Sequence, residues 1–213
     1  MTFSSINISN NIERVYNILR MPLVVFEGIN TALKTTIIEQ LLQKYPEKIK
    51  TFTFPTAKYE DLLKSNVEND NQEKLIFKHS LIENDFIENK LEIYRESRKF
   101  LVILNQYYLS NIVYFEYLSK GLDDRIKQYT NVLRNIKHLT PDLFILLWSI
   151  EINERQHNIF DNEELPHIHN LYFKEVKELR ENGKIKLFEY IETLRSDTYH
   201  KVEKILKEKG LLK

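Results

Sequence analysis

The stretch VVFEGINTALKTT, Val24 to Thr36, decides how the rest of the chain is read. An apolar run ends at Phe26, Gly28 follows, five residues intervene, and Lys34 and Thr35 come next. That is the spacing of G-x-x-x-x-G-K-[ST], a loop whose backbone N–H groups wrap phosphates while its lysine reaches the outer phosphates and its hydroxyl helps hold magnesium. Gly28, Lys34 and Thr35 fill three of the four fixed places, and Leu33 stands where the second glycine belongs. A leucine forced to left-handed backbone angles costs about 1–2 kcal/mol, and its side chain adds bulk where a phosphate would approach. Two readings are open: a phosphate loop of altered shape, or a plain strand-turn-helix junction with Asn30 or Thr31 as the cap of a helix that begins ALKTT.

Outward from this stretch, strand-like and helix-like segments alternate. Apolar runs occur at Leu23 to Phe26, Ile49 to Phe54, Lys99 to Leu104 and Asp142 to Trp148, with a weaker fifth, KIKLFEYI, from Lys184. Their apolar residues are consecutive, as in strands covered by helices on both faces. Helical periodicity runs through Lys34 to Lys44, Gln72 to Arg95, Ser110 to Lys120, Arg125 to Lys137 and Leu165 to Arg180. This order predicts an α/β fold, a parallel sheet of about five strands flanked by helices, with ligands at the carboxyl ends of the strands. Of the four glycines, Gly121, Gly183 and Gly210 follow helical runs and suit C-terminal caps. Gly28 alone follows a buried strand.

Composition narrows the functions. The 213 residues, 42% hydrophobic, suffice for one well-packed domain, expected over 21–213. Basic and acidic residues balance at 31 each and interleave along the helices, which gives no support to a nucleic-acid or membrane-surface partner. There is no cysteine, so disulfides, thiol nucleophiles and cysteine-ligated metals are excluded. Residues 1–20 lack both the apolar core of a secretion signal and a spanning helix, so a cytoplasmic or nuclear location is expected. Within this extension Ile12, Val15, Tyr16 and Leu19 sit at helical spacing and predict a short amphipathic helix.

Five segments together resemble the thymidylate kinase family, in particular its eukaryotic and large-DNA-virus branch. VVFEGINTALKTT is similar to that family's F-E-G-x-D-x-x-G-K-[ST]-T, and TFTFPTA to a second strand ending in Phe-Pro. LIFKHSLIE lies where the family has F-S-A-N-R-W-E, and VILNQYYLSNIVY resembles V-x-D-R-Y-x-x-S-x-x-A-[YF]. LTPDLFILLWSIEINER looks like the Pro-Asp-Leu strand and the arginine-bearing helix after it. The resemblance implies a P-loop nucleoside-monophosphate-kinase fold, usually dimeric. It also implies a nucleotide site at Gly28, Lys34, Thr35 and Thr36, with ATP and Mg2+ as cofactors of an active member.

It further implies an acceptor pocket at Phe54, Pro55, Ala57, Phe77, Leu81, Asn105, Gln106, Tyr107, Ser110 and Tyr114, with Lys34 and Arg155 as catalytic groups of an active enzyme. Here the chain departs from the pattern. The family's loop aspartate, arginine and last glycine are Asn30, Thr31 and Leu33, the arginine after Phe-Pro is Ala57, that of the helical motif is Leu81, and the Asp-Arg pair is Asn105 and Gln106. Phosphoryl transfer depends on positioned charge, and an arginine on the transferring group is worth about 10³–10⁵ in rate. The expectation is therefore a decayed catalytic site with residual nucleotide binding and a structural or regulatory role, as a homodimer or with another protein. The alternative is an active, divergent thymidylate kinase using Lys34, Arg155 and relocated cations such as Lys58, Lys78 or His79. Phe77 is read as an aromatic wall for the base or as plain core. The run HNIFDNEELPHIH, with His157, Asp161, Glu163, Glu164, His167 and His169, is read as a charged lid loop, and no metal site is expected there.

Overall fold

The structure, a computed structural model, describes residues 22–29, 32–65, 72–120, 124–136, 138–149, 163–193 and 197–212. The expected helix within 1–20, Gly121 and Arg155 lie outside these. In chain order the elements are β1 (Leu23–Glu27), α1 (Lys34–Lys44), β2 (Ile49–Thr53), α2 (Ala57–Ser65), α3 (Gln72–Glu96), β3 (Leu101–Asn105) and α4 (Tyr108–Leu118). They continue with α5 (Asp124–Asn135), β4 (Leu143–Trp148), α6 (Leu165–Glu181), β5 (Phe188–Glu192) and α7 (Thr198–Glu208).

All strand pairs are parallel, in the order β2-β3-β1-β4-β5. The α/β fold read from the alternation is what the chain adopts. Strands β1, β3 and β4 are buried at every residue, whereas β2 and β5, at the edges, are only partly so. This explains why KIKLFEYI was the faintest signal: an edge strand has no neighbour on one side and needs fewer apolar residues. The registers set Phe26 beside Asn105 and Phe26 beside Ile145. The loops leaving β1 and β3 consequently open onto the same crevice at the carboxyl edge, where α/β folds bind ligands.

Two local features were not foreseen. Helix α2 begins two residues after Pro55, and Thr56 sets it up: its carbonyl accepts from the N–H groups of Tyr59 and Glu60, each at 2.9 Å. Helix α4 starts at Tyr108, two residues earlier than the periodicity suggested, because a buried carboxylate fixes the N–H before it. At the other end of β1, Asp142 Oδ2 accepts the Leu23 N–H at 2.8 Å, and Leu23 O accepts the Asp142 N–H at 2.8 Å. The Pro-Asp-Leu segment is thus a clip between two central strands. Gly183 and Gly210 take φ of 67° and 68° after α6 and α7, as C-terminal caps do.

Candidate functional site

The loop after β1 keeps the turn that its sequence put in doubt. Gly28 has φ 128°, and a Cβ there would lie 1.9 Å from the carbonyl oxygen of Leu147, so β4 passes where only hydrogen fits. Leu33 adopts φ 55° and ψ 14° at the N-cap of α1, and its carbonyl accepts the Ile37 N–H at 3.0 Å. Capping by Asn30 or Thr31 is thereby overturned: α1 begins at Lys34, and the residue before it carries the left-handed angle that glycine takes in the usual motif. The Leu33 side chain packs against the hydrophobic core. Leu33 is only partly buried, so it gains part of the roughly 1.5–3 kcal/mol of a fully buried leucine, which offsets much of the 1–2 kcal/mol of backbone strain.

Lys34 is 5% exposed, and its ammonium donates to Gly28 O at 2.7 Å and Ile29 O at 2.6 Å. The side chain folds back across the loop and holds its two ends together. Burial lowers its pKa to about 8, opposed by the negative field of Glu27. Glu27 itself was quoted in the motif but given no role, although a charged residue closing an apolar strand was the signal to follow. It is fully buried, accepts the Tyr107 N–H at 3.0 Å and takes the Ser110 hydroxyl. Desolvation raises its pKa to about 8, while the Ser110 hydrogen bond and then Lys34 pull it down. Glu27 therefore ties the end of β1 to the start of α4, across the crevice.

On the β3 side, Asn105 ends the strand and its side-chain Nδ2 donates to Thr35 Oγ1 at 3.3 Å, while Asn105 Oδ1 is buried without a hydrogen-bond partner. Gln106 has φ 62° and gives its N–H to Phe26 O at 2.9 Å. Tyr107 and Ser110 turn inward: Tyr107 is 1% exposed, its hydroxyl accepting the Leu139 N–H, and Ser110 lies between Glu27 and Tyr172. Phe54, joined to Pro55 by a cis peptide, packs edge-on against Phe86 with ring centres 4.8 Å apart. Phe86 and Tyr107 are 4.9 Å apart, and Tyr108 stacks on His138 at 4.3 Å. Thr56 donates through both N–H and hydroxyl to Asp85, at 2.6 and 2.8 Å. Neither Asp85 nor Thr56 was singled out in the sequence, because their pairing crosses 29 positions of chain.

The structure thus gathers Gly28, Lys34, Thr35, Asn105 and Gln106 at the carboxyl edge of the sheet, with Tyr107, Ser110 and Phe54 buried beside them. Other predicted residues fall elsewhere. Phe77 is 48% exposed on α3, so the plain-core reading of it is wrong. Ala57 is exposed at the start of α2, Leu81 is half-buried on α3, and the Tyr114 ring packs edge-on to Tyr172. Of the relocated cations, Lys58 is exposed and paired with Glu88 at 2.6 Å, and Lys78 is half-buried. His79 is buried against Asn111 and the Phe115 ring, where desolvation depresses its pKa to about 4, so it is neutral at physiological pH. From the histidine-rich run, Glu164 takes the Tyr117 hydroxyl, and His169 contacts Tyr190 and Trp148.

These residues keep the shape of a phosphate loop, with a left-handed turn at Leu33 and a glycine where a Cβ cannot go, while the Lys34 ammonium is held by the Gly28 and Ile29 carbonyls. They do not fit magnesium well. The Thr35 hydroxyl oxygen already accepts the Asn105 amide, and Asn105 supplies no charge to support a cation. The nearby carboxylate, Glu27, is engaged with Tyr107 and Ser110.

The sequence model of the thymidylate kinase family matches residues 26–206. No curated protein sequence matches the chain. Among solved structures, thymidylate kinase from Candida albicans superposes with a TM-score of 0.68 at 18% identity, over 90% of this chain and 93% of that one. At that identity the likeness concerns the fold. The family match, by contrast, spans most of the sequence, from the strand before the phosphate loop to the last helix, and on it the chain belongs to the thymidylate kinase family.

Proposed function

We propose that this family member no longer transfers phosphate and works instead as a nucleotide-binding scaffold with a structural or regulatory role. The observation that carries the reading is the Asn105 amide on the Thr35 hydroxyl. The family generally uses ATP and Mg2+, and the hydroxyl of G-K-[ST] is the protein's direct hold on the metal. The amide N–H takes one of that oxygen's two lone pairs, and asparagine brings a neutral carbonyl oxygen where a magnesium site calls for a carboxylate. Ala57, Leu81 and Gln106 likewise carry no charge for the phosphates. Losing several such groups removes transition-state stabilisation that a lysine alone does not replace. Gly28, Lys34, Thr35 and Thr36 are left as a binding loop.

The competing reading, an active divergent kinase that phosphorylates thymidine monophosphate from ATP, draws on the well-placed Lys34. One set of measurements separates the two. With millimolar ATP the melting temperature is expected to rise by roughly 5 °C, as for ligand at about 100 times its dissociation constant. The rise should be the same with and without magnesium, vanish in Lys34→Met, and be accompanied by no transfer to thymidine monophosphate. Turnover by the wild type that disappears in Lys34→Met sinks the proposal.

A second expectation follows from the lost charges. Restoring Leu33→Gly, Asn105→Asp and Gln106→Arg together should make ATP binding depend on magnesium and tighten it at least ~10-fold, about 1.4 kcal/mol, by titration calorimetry. Unchanged, magnesium-independent binding in a folded triple variant would show that these positions do not form the site. A protein partner or a homodimer is supported by Phe77, Ile87 and Leu91 on α3, which are 48, 54 and 75% exposed. No helix among the described residues is long and apolar enough to cross a membrane. With balanced charge and no cysteine, a cytoplasmic or nuclear location is the one proposed.

A further inference from the structure

Behind the loop lies a buried row of four oxygen-bearing side chains drawn from three elements. Glu27, the last residue of β1, takes the Tyr107 N–H on one carboxyl oxygen and the Ser110 hydroxyl on the other. Ser110 Oγ lies 2.9 Å from the Tyr172 hydroxyl of α6, and Tyr172 is hydrogen-bonded in turn to Tyr114 of α4. Glu27, Ser110 and Tyr172 are all buried, so their hydroxyl protons are placed by bonds within the interior.

Counting protons fixes the direction of those bonds, because a serine or tyrosine hydroxyl has one to give. When Glu27 is ionised it only accepts, so Ser110 donates to Glu27, Tyr172 to Ser110 and Tyr114 to Tyr172. When Glu27 is protonated its own O–H donates to Ser110, and the hydroxyls turn, Ser110 donating to Tyr172 and Tyr172 to Tyr114. One proton on the acid therefore sets the polarity of the whole row.

We propose that this row makes the loop proton-linked: taking the loop to bind nucleotide, as argued above, an arriving phosphate drives Glu27 to take a proton from solvent and reverses the row. Lys34 makes the connection. Its ammonium stands on the carbonyl of Gly28, the residue after Glu27, and its positive field favours the carboxylate. A phosphate beside that ammonium cancels the field, and its own charge opposes a second anion nearby. The other titratable groups facing Glu27 are Tyr108 and Tyr114 on α4 and Tyr172 on α6, and burial raises the pKa of all three, so they stay neutral. The native pKa of Glu27, about 8, puts the uptake in that range, and nucleotide affinity falls as pH rises through it.

Lys34, whose pKa is also about 8, gains a proton on the same event, so the test must read the acid itself. Magnesium-free ATP is added to the protein at pH 8, and infrared difference spectra follow the carbonyl band of the protonated carboxylic acid. Calorimetry in two buffers of different ionisation enthalpy counts the protons. About half of the Glu27 side chains are ionised at their pKa, so ATP should raise the band and Glu27 should account for ~0.5 proton of the uptake. Glu27→Gln should abolish the band and lower the uptake by that amount. In Tyr172→Phe the reversed row ends on a buried hydroxyl proton with no acceptor, a larger loss than the ionised row suffers, so the band's midpoint should move down by ~0.5 pH unit or more. ATP that binds without raising the band, or a midpoint unmoved in Tyr172→Phe, overturns the proton link and leaves nucleotide binding standing. ATP that does not bind at all overturns the binding reading and the link with it.

Discussion

Gly28→Ala is expected to destabilise the fold severely. The added methyl would sit 1.9 Å from Leu147 O and 3.1 Å from Leu147 C, both backbone atoms of β4. Neither can retreat without opening the ladder in which Val25 pairs with Phe144 and Phe26 with Ile145. A φ of 128° adds strain for any L residue. A change that breaks central strand pairing belongs to the rare class costing more than about 4–5 kcal/mol, about 10–20 °C in melting temperature at this chain length. Gly183→Ala provides the contrast. It also has positive φ, 67°, but open space around the added methyl, so its loss should stay near 1–2 kcal/mol. Thermal melts of both variants check the argument. A Gly28→Ala protein that melts like wild type would mean that β1 and β4 do not meet as described.

Glu27 should control stability in a pH-dependent way, with opposite signs for two substitutions. Its native pKa of about 8 lies above the ordinary 4.5. As pH rises from 4.5 to 8 the unfolded chain releases a proton that the native state retains, so stability falls across that window. Lys34 does the reverse: its native pKa of about 8 lies below 10.5, the native state gives up its proton first, and stability recovers from pH 8 to 10.5. Denaturant unfolding should consequently show a minimum near pH 8.

Glu27→Gln keeps an acceptor for the Tyr107 N–H and lets the new amide donate to Ser110, whose hydroxyl then turns to Tyr172. With no proton to lose, this variant should abolish the fall below pH 8. It should gain roughly 2–3 kcal/mol at neutrality, because folding no longer has to return to the buried acid a proton that the unfolded chain has released. Glu27→Ala leaves a buried N–H and a buried hydroxyl unpaired, with a cavity beside them. It should be roughly 3–4 kcal/mol less stable than Glu27→Gln. Equal stability of the two variants, or a flat pH profile in wild type, would refute this account of the β1–α4 tie.

The parts of this fold that were legible in the sequence are those set by local pattern. Runs such as LFILLW and LVVF are apolar at every position because both faces of a central strand are covered, and that requirement is written in consecutive residues. Helices α1, α3 and α6 announce themselves through a 3.6-residue period, and α6 also through Pro166 at its start and Gly183 after its end. Helix α2 does not, because its start depends on Thr56 docking onto Asp85 from another helix. Phe77 was read as wall or core because an aromatic on a helix ordinarily packs inward; the structure turns it outward, and nothing in its neighbours along the chain says so.

The candidate site divides along the same line. Its residues Gly28, Lys34, Thr35, Asn105 and Gln106, and the loss of charge among them, stand in the sequence, since identity and spacing are local properties. How Leu33 takes a glycine's place, why Lys34 is buried and where Glu27 sends its hydrogen bonds were decided only in three dimensions. A left-handed leucine becomes tolerable when the core receives its side chain, and a buried acid becomes a tie when a distant helix presents an N–H to it. Those energies arise between segments tens of residues apart, and a linear pattern holds no record of which segments will meet.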